Sequence, residues 1–211
     1  MAILKEGYPF IIPAFLAGAA LVIVSRLTQI FPVSVACTAL GCVLVIFSFF
    51  CMFFFRDPKI KITQGEGLIL SPCNGTVMEL AEEGDEKVIR VFLSIFSVHL
   101  QRSPVNGTVA DVTHKKGKFY AAWNPRAQSE NEQNIFTIQS EDGKYVVRQI
   151  AGFLARRCVS WVKAGDVLKA GDKIGMIKFS SQVDLHLPKS ANIKVKPGDK
   201  TRAGITVMAS K

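Results

Sequence analysis

The chain has 211 residues, with 49% of them apolar and a formal net charge of +9. That length supports one domain of ordinary size plus an added segment, and the apolar share is high for a purely soluble protein. Three of the five cysteines (Cys37, Cys42, Cys51) sit in one apolar run, and Cys73 and Cys158 form no C-x-x-C, so a disulfide framework and a cysteine-based metal site are both excluded.

The apolar excess lies at the start. Residues 7–25 and 27–55 carry no charge, and only Arg26 interrupts them. A bilayer core about 30 Å thick needs about 20 apolar residues in a helix. Two transmembrane helices are therefore predicted, at about 8–25 and 30–55, closed into a hairpin near Arg26. A cleaved signal peptide explains the first run less well, because the second follows almost at once and no small-x-small cleavage site intervenes. Lys5 flanks one end, and Arg56, Lys59 and Lys61 flank the other. Positive flanks stay cytoplasmic. The expected organisation is a membrane anchor over 1–56 and a cytoplasmic domain over 57–211. From Arg56 onward there are 24 basic and 16 acidic side chains, a net of about +8. Beside an anchor, such a surface points to anionic lipid rather than to nucleic acid.

After "FFFRDPKIKI" the chain turns into short apolar segments punctuated by Gly, Pro, Asn and Asp. Lys87–Ser94 reads as a strand, "SPVNGTVADV" as a turn entering a strand, and the region around Asp142-Gly143 as a β-hairpin. No 3.6-residue period persists there. The predicted fold class is mainly β, a barrel- or sandwich-hybrid-like soluble domain behind a transmembrane hairpin. "KAGDVLKAG" at 163–171 recurs as "KPGDKTRAG" at 196–204, each copy placing Gly-Asp in a turn.

Three polar residues stand at the ends of apolar strands: Asn74 in "SPCNG", His99 in "FLSIFSVHL" and Ser181 in "KFSSQVDLHLP". A hydroxyl, an imidazole and an Asx side chain are the parts of a nucleophile, base and orienter set. Read singly, they fit a core histidine, an Asx turn and a strand-edge serine equally well.

"KEGYPFI", "FFFRDP", "SPCNGTV", "VHLQRSPVNG", "NEQN", "IAGFLARR", "WVKAGD" and "FSSQVDLHLP" follow one another in this order. In that series the chain resembles the short, two-span bacterial phosphatidylserine decarboxylase proenzymes, from about Lys5 to the C-terminus. The resemblance implies a pyruvoyl enzyme of phospholipid biosynthesis. Ser181 would attack the carbonyl of Ser180, the chain would part between Ser180 and Ser181, and residue 181 would become the pyruvoyl group. His99 would be the base and Asn74 the orienter. Asn131, Glu132, Arg156 and Arg157 would bind substrate, and Tyr120 and Trp123 could form an interfacial aromatic patch. The implied partners are phosphatidylserine, membrane lipids and the chain's own cleaved small fragment; a homodimer stays open.

Four positions depart from the family pattern. Asn74 replaces Asp, Ser180 replaces Gly, Ile95 replaces Pro and Ser97 replaces Asp. All four cluster on the self-processing machinery. The alternative reading is an uncut relative that binds phosphatidylserine or scaffolds lipid enzymes.

Overall fold

The computed structural model describes residues 2–120, 126–152, 157–178 and 181–211. They fall into two compact units, Met1–Lys59 and Ile60–Lys211.

In the first unit, α1 (Tyr8–Leu27) and α2 (Phe31–Phe54) form an antiparallel pair, and strands β1 (Ala2–Ile3) and β2 (Arg56–Asp57) pair beside their ends. Both helices are long and apolar enough to cross a membrane. Their outer faces expose Leu16, Ile23, Phe31, Val43 and Ile46, which suits lipid. Their inner faces carry small residues. A Cβ added to Gly18 would lie 2.8 Å from the Gly41 carbonyl oxygen, and one on Gly41 would lie 2.8 Å from that of Gly18. Hydroxyls satisfy themselves on backbone carbonyls: Ser34 Oγ donates to Ser25 O at 2.8 Å, and Ser48 Oγ to Ile11 O at 2.9 Å.

The second unit is mainly β, as the composition predicts. Its strands are β3 (Leu68–Leu70), β4 (Gly75–Glu83), β5 (Glu86–Leu93), β6 (Leu100–Arg102), β7 (Gly107–Lys115), β8 (Gln133–Ser140), β9 (Gly143–Ala151), β10 (Cys158–Ser160), β11 (Val167–Leu168), β12 (Lys173–Ile177), β13 (Ser181–Pro188), β14 (Asn192–Ile193), β15 (Lys200–Thr201) and β16 (Val207–Ser210). One short helix, α3 (Ala127–Glu130), precedes β8. Among the described residues the strands form a curled eight-stranded sheet, β11-β7-β8-β9-β13-β5-β4-β15, and two three-stranded sheets, β10-β12-β6 and β14-β16-β3.

This order is a sequence repeat written in three dimensions. "SPCNGTV" at 71–77 and "SPVNGTV" at 103–109 match, as do the two Lys-x-Gly-Asp segments. Gly198 N donates to Val77 O, and Val77 N to Asp199 O; Gly165 N and Val109 N make the same exchange with Val109 O and Asp166 O. Both contacts sit at a register shift, after Val77 in β4 and after Val109 in β7. Strands β3, β4, β5, β13, β14, β15 and β16 thus correspond to β6, β7, β8, β9, β10, β11 and β12. The second half is inserted whole between β5 and β13 of the first. Where β8 and β9 are joined by the tight turn at Glu141-Asp142, β5 and β13 are separated by residues 94–180. By register, Ser181 occupies the place of Gly143.

The core lies on one face of the sheet. Val183, Leu185 and Leu187 of β13 join Ile89, Val91, Leu93, Phe136, Ile138 and Val147 there. The opposite face of β13 carries Gln182, Asp184 and His186, also buried. Asp184 lies between Arg90 on β5 and Arg148 on β9, its register partners. A slip of one residue would invert the two faces of β13, and a slip of two would part Asp184 from both arginines.

Candidate active site

Ser181 opens β13 between Leu93 of β5 and Ala151 of β9. It is fully buried, and its Oγ has no hydrogen-bond partner. A buried hydroxyl with no partner forfeits about 1–3 kcal/mol of solvation, a cost that calls for an explanation.

His99 precedes β6 and is buried. Ile177 N donates to His99 O at 3.2 Å, tying it to the strand that runs toward Ser181 four residues later. Its Nδ1 lies 2.9 Å from Ser97 O. A carbonyl can only accept, so Nδ1 carries the proton and Nε2 holds the lone pair in the neutral ring. The imidazole is oriented here by a backbone oxygen, which explains why position 97 can be Ser: the carbonyl does not depend on the side chain.

Asn74 Oδ1 accepts from Ala203 N at 3.0 Å. Asn106, its counterpart in the other half, accepts from Ala170 N at 2.8 Å. Each Asn closes the second turn of its Lys-x-Gly-Asp segment, a bond that Asx side chains suit by length. Asn106 also lines a groove of about 610 Å³, with Gly67, Thr108, Asp142, Val167 and Lys211 around it. The two-fold correspondence carries Gly67 onto His99, Asn106 onto Asn74, Val167 onto Lys200 and Gly143 onto Ser181. Asn74 and His99 therefore belong to one corner of the fold, and Lys200, whose Nζ donates to Thr76 Oγ1 at 2.6 Å, lies at its rim.

Asn131 is wholly buried, and its carboxamide is spent on backbone: Nδ2 donates to Tyr120 O and Ala151 O, and Oδ1 accepts from Tyr120 N. Because Ala151 is the register partner of Ser181, Asn131 braces the strand beside the serine. Glu132 Oε1 accepts from Cys158 N at 3.1 Å. Burial, reinforced by the Glu132 charge, pushes the Cys158 thiol up to about 12, so it is no nucleophile at neutral pH. Arg157 is exposed, and its carbonyl accepts from Lys178 N. Trp123, Arg156 and Ser180 lie outside the described residues.

A polar chain beside this corner escaped sequence reading. His114 Nδ1 meets Asn134 Oδ1 at 2.7 Å, Asn134 Nδ2 donates to Gln149 Oε1 at 3.0 Å, and Gln149 Nε2 donates to Gln101 Oε1 at 2.7 Å. Asn134, Gln149 and Gln101 are buried on the core face. A signal existed for Gln149 alone, which interrupts the core-facing positions Tyr145, Val147 and Ala151 of β9.

Comparison with known proteins agrees with the order of motifs. The family model for phosphatidylserine decarboxylase matches residues 47–209. The chain belongs to the phosphatidylserine decarboxylase family. A proenzyme of that name from Geotalea uraniireducens is 39% identical over 98% of this chain and 95% of its own length. One from Wolbachia pipientis is 33% identical over 98% and 90%, and one from Solidesulfovibrio magneticus is 42% identical over 75% and 77%. Family membership makes the chain a decarboxylase.

Proposed function

We propose that the chain is a membrane-anchored proenzyme that cuts itself at Ser181 and then decarboxylates phosphatidylserine to phosphatidylethanolamine. The observation that carries this reading is the Ser181 hydroxyl, buried and without a partner at the head of a strand fixed on both sides.

His99, oriented through Nδ1, takes the hydroxyl proton at Nε2. The Ser181 oxygen bonds to the carbonyl carbon of Ser180, the C–N bond breaks, and the proton passes to the released amine, leaving an ester. His99 Nε2 then takes the Cα proton of residue 181, and elimination breaks the Ser181 Cβ–O bond. It frees a carboxylate on Ser180 and leaves an unsaturated residue 181, which takes up water and loses ammonia to become pyruvoyl. The apolar walls given by Leu93 and Ala151 fit this small keto acid, which needs no charged cradle. When present, the pyruvoyl carbonyl supplies a sink for the electron pair released as CO₂ departs, a property no ordinary side chain has.

The remaining residues bind and orient. Lys200 and Arg157 supply cationic donors for the phosphodiester, joined by Arg156 as the family pattern implies. Asn131 and Glu132 hold the wall beside Ser181. The two helices keep the domain at the bilayer that holds the substrate's acyl chains, with the basic flanks and the β domain on the cytoplasmic side.

The test is CO₂ release from phosphatidylserine vesicles by the wild-type chain and by Ser181→Ala. Activity in the first and none in the second supports the proposal. A wild-type chain that stays whole and inactive while binding the vesicles supports the uncut-relative reading instead.

A further inference from the structure

The chain His114–Asn134–Gln149–Gln101 has a direction. Starting from His114 Nδ1–H, every group donates to the next and accepts from the one before. Three linked carboxamides have only two self-consistent directions, and the structure holds the one that starts at His114 and ends on Gln101 Nε2. Aligned amide dipoles polarise one another, so the last donor in line is strengthened.

That last donor is Gln101 Nε2. It is buried and has no hydrogen-bond partner. It stands two residues after His99. Gln149, which holds it, is the register partner of Val183, one diagonal step from Ser181 on the same face of the sheet. Gln149 reaches Gln101 past Gly175, where an added Cβ would lie 3.0 Å from Gln149 Nε2 and 2.2 Å from Val159 O. Gln101 Nε2 and the Ser181 hydroxyl are thus both buried without a partner, and Gln149 links Gln101 to the strand that Ser181 opens.

We propose that Gln101 Nε2–H is the donor for a negatively charged oxygen formed or bound at the Ser181 site, aimed by the amide relay from His114. The inference rests on the self-cleaving reading above. An uncharged N–H fits this task because it stabilises charge as it develops and takes no proton of its own. Two oxygens share the required chemistry: the carbonyl oxygen that becomes anionic when Ser181 attacks, and the carboxylate of the serine head group. Gln149, Asn134 and His114 are positioning residues.

The experiment compares Gln101→Glu and Gln101→Leu with wild type in chain scission, followed by denaturing gel, and in turnover of phosphatidylserine vesicles. Glu keeps the oxygen that accepts from Gln149 but puts a second oxygen where the donor stood. Both variants are expected to slow one step by about 10²-fold or more. Slow scission assigns the donor to the attacked carbonyl. Normal scission with a lowered kcat and little change in KM assigns it to the substrate carboxylate. Wild-type rates in both steps for Gln101→Glu overturn the inference. Should Gln101→Glu not fold, His114→Ala, altered at an exposed residue, carries the test: the same step slowed several-fold supports the relay, and wild-type rates overturn it. Ser181→Ala separates the two proposals. If Ser181→Ala retains activity, the self-cleaving reading fails; if only Gln101→Glu does, this inference fails alone.

Discussion

Gly67 stands in one half of the β domain where His99 stands in the other. Lys211 N donates to Gly67 O at 3.0 Å, as Ile177 N donates to His99 O at 3.2 Å. Gly143 and Ser181 are paired in the same way by register. The backbone frame was built twice, and the proposed nucleophile and base lie in one copy. The copy with glycines shows that the frame does not need the imidazole. His99→Ala is therefore expected to slow scission at least 10²-fold, the usual range for a lost general base. Its melting midpoint should stay within about 4 °C of wild type, which corresponds to about 1 kcal/mol in a domain of this size. A collapse of the melting midpoint would show that His99 is a structural residue.

Asn74 and Asn106 allow a matched comparison. Ala at either position removes one side-chain to backbone bond and should cost about 1 kcal/mol in chemical denaturation. Asp at either position keeps the accepting oxygen and should be near neutral for stability. The two Asp variants should differ in chemistry. Asn74→Asp places a negative charge in the His99 corner, where it favours the imidazolium and speeds scission; Asn106→Asp, in the glycine copy, leaves scission unchanged. Equal scission rates in both would remove Asn74 from the site.

Asp184 gives the β domain a pH dependence of definite sign. Burial raises its pKa, and the bond from Gln182 and the charges of Arg148 and Arg90 offset this only in part. The folded state therefore binds the proton more tightly than the unfolded chain. This contribution to stability is fully present below the unfolded carboxyl value of about 3.9 and is lost as pH rises through the folded value. Asp184→Asn removes the loss, so its melting midpoint should rise relative to wild type between pH 4 and pH 8. A relative fall over that range would mean that attraction to the two arginines outweighs the cost of burying the charge.

The helix pair makes a steric prediction. Gly18 and Gly41 meet where a Cβ would lie 2.8 Å from the opposing carbonyl oxygen. Gly41→Val should force the helices apart and lower the thermal stability of the pair in lipid nanodiscs, followed by helical circular dichroism. Val at Ala39, an exposed residue two positions before Gly41 in α2, should not. Equal melting of the two variants would show that the pair is not held by this close approach.

Much of the fold was legible, for reasons that can be named. The charge-free runs ended close to α1 and α2, because Arg26 and the Arg56 region leave few other boundaries. The Asp142-Gly143 pair marked the β8–β9 hairpin, with Gly143 at φ +133°. The Lys-x-Gly-Asp repeat was visible. Its partner, the Ser-Pro-x-Asn-Gly-Thr-Val repeat, was equally visible and is the stronger signal, because together they outline the inserted half. The insertion itself was not legible, since the pairing of β5 with β13 spans residues 94–180 and local patterning says nothing about it. At the site, Ser181, His99 and Asn74 stood out as polar residues at strand ends. Gln101 and Asn134 did not, because polar neighbours such as Arg102 and Gln133 make each read as a solvent-facing strand start. Asn131 was expected at the substrate, but its carboxamide is committed to the Tyr120 and Ala151 backbone.

The most direct measurement is the intact mass of the purified chain after incubation in detergent or nanodiscs. The account predicts two chains, 1–180 and 181–211, with the smaller lighter by one ammonia than a peptide that begins with serine. A single uncut 23.1 kDa chain that decarboxylates phosphatidylserine at full rate would contradict it.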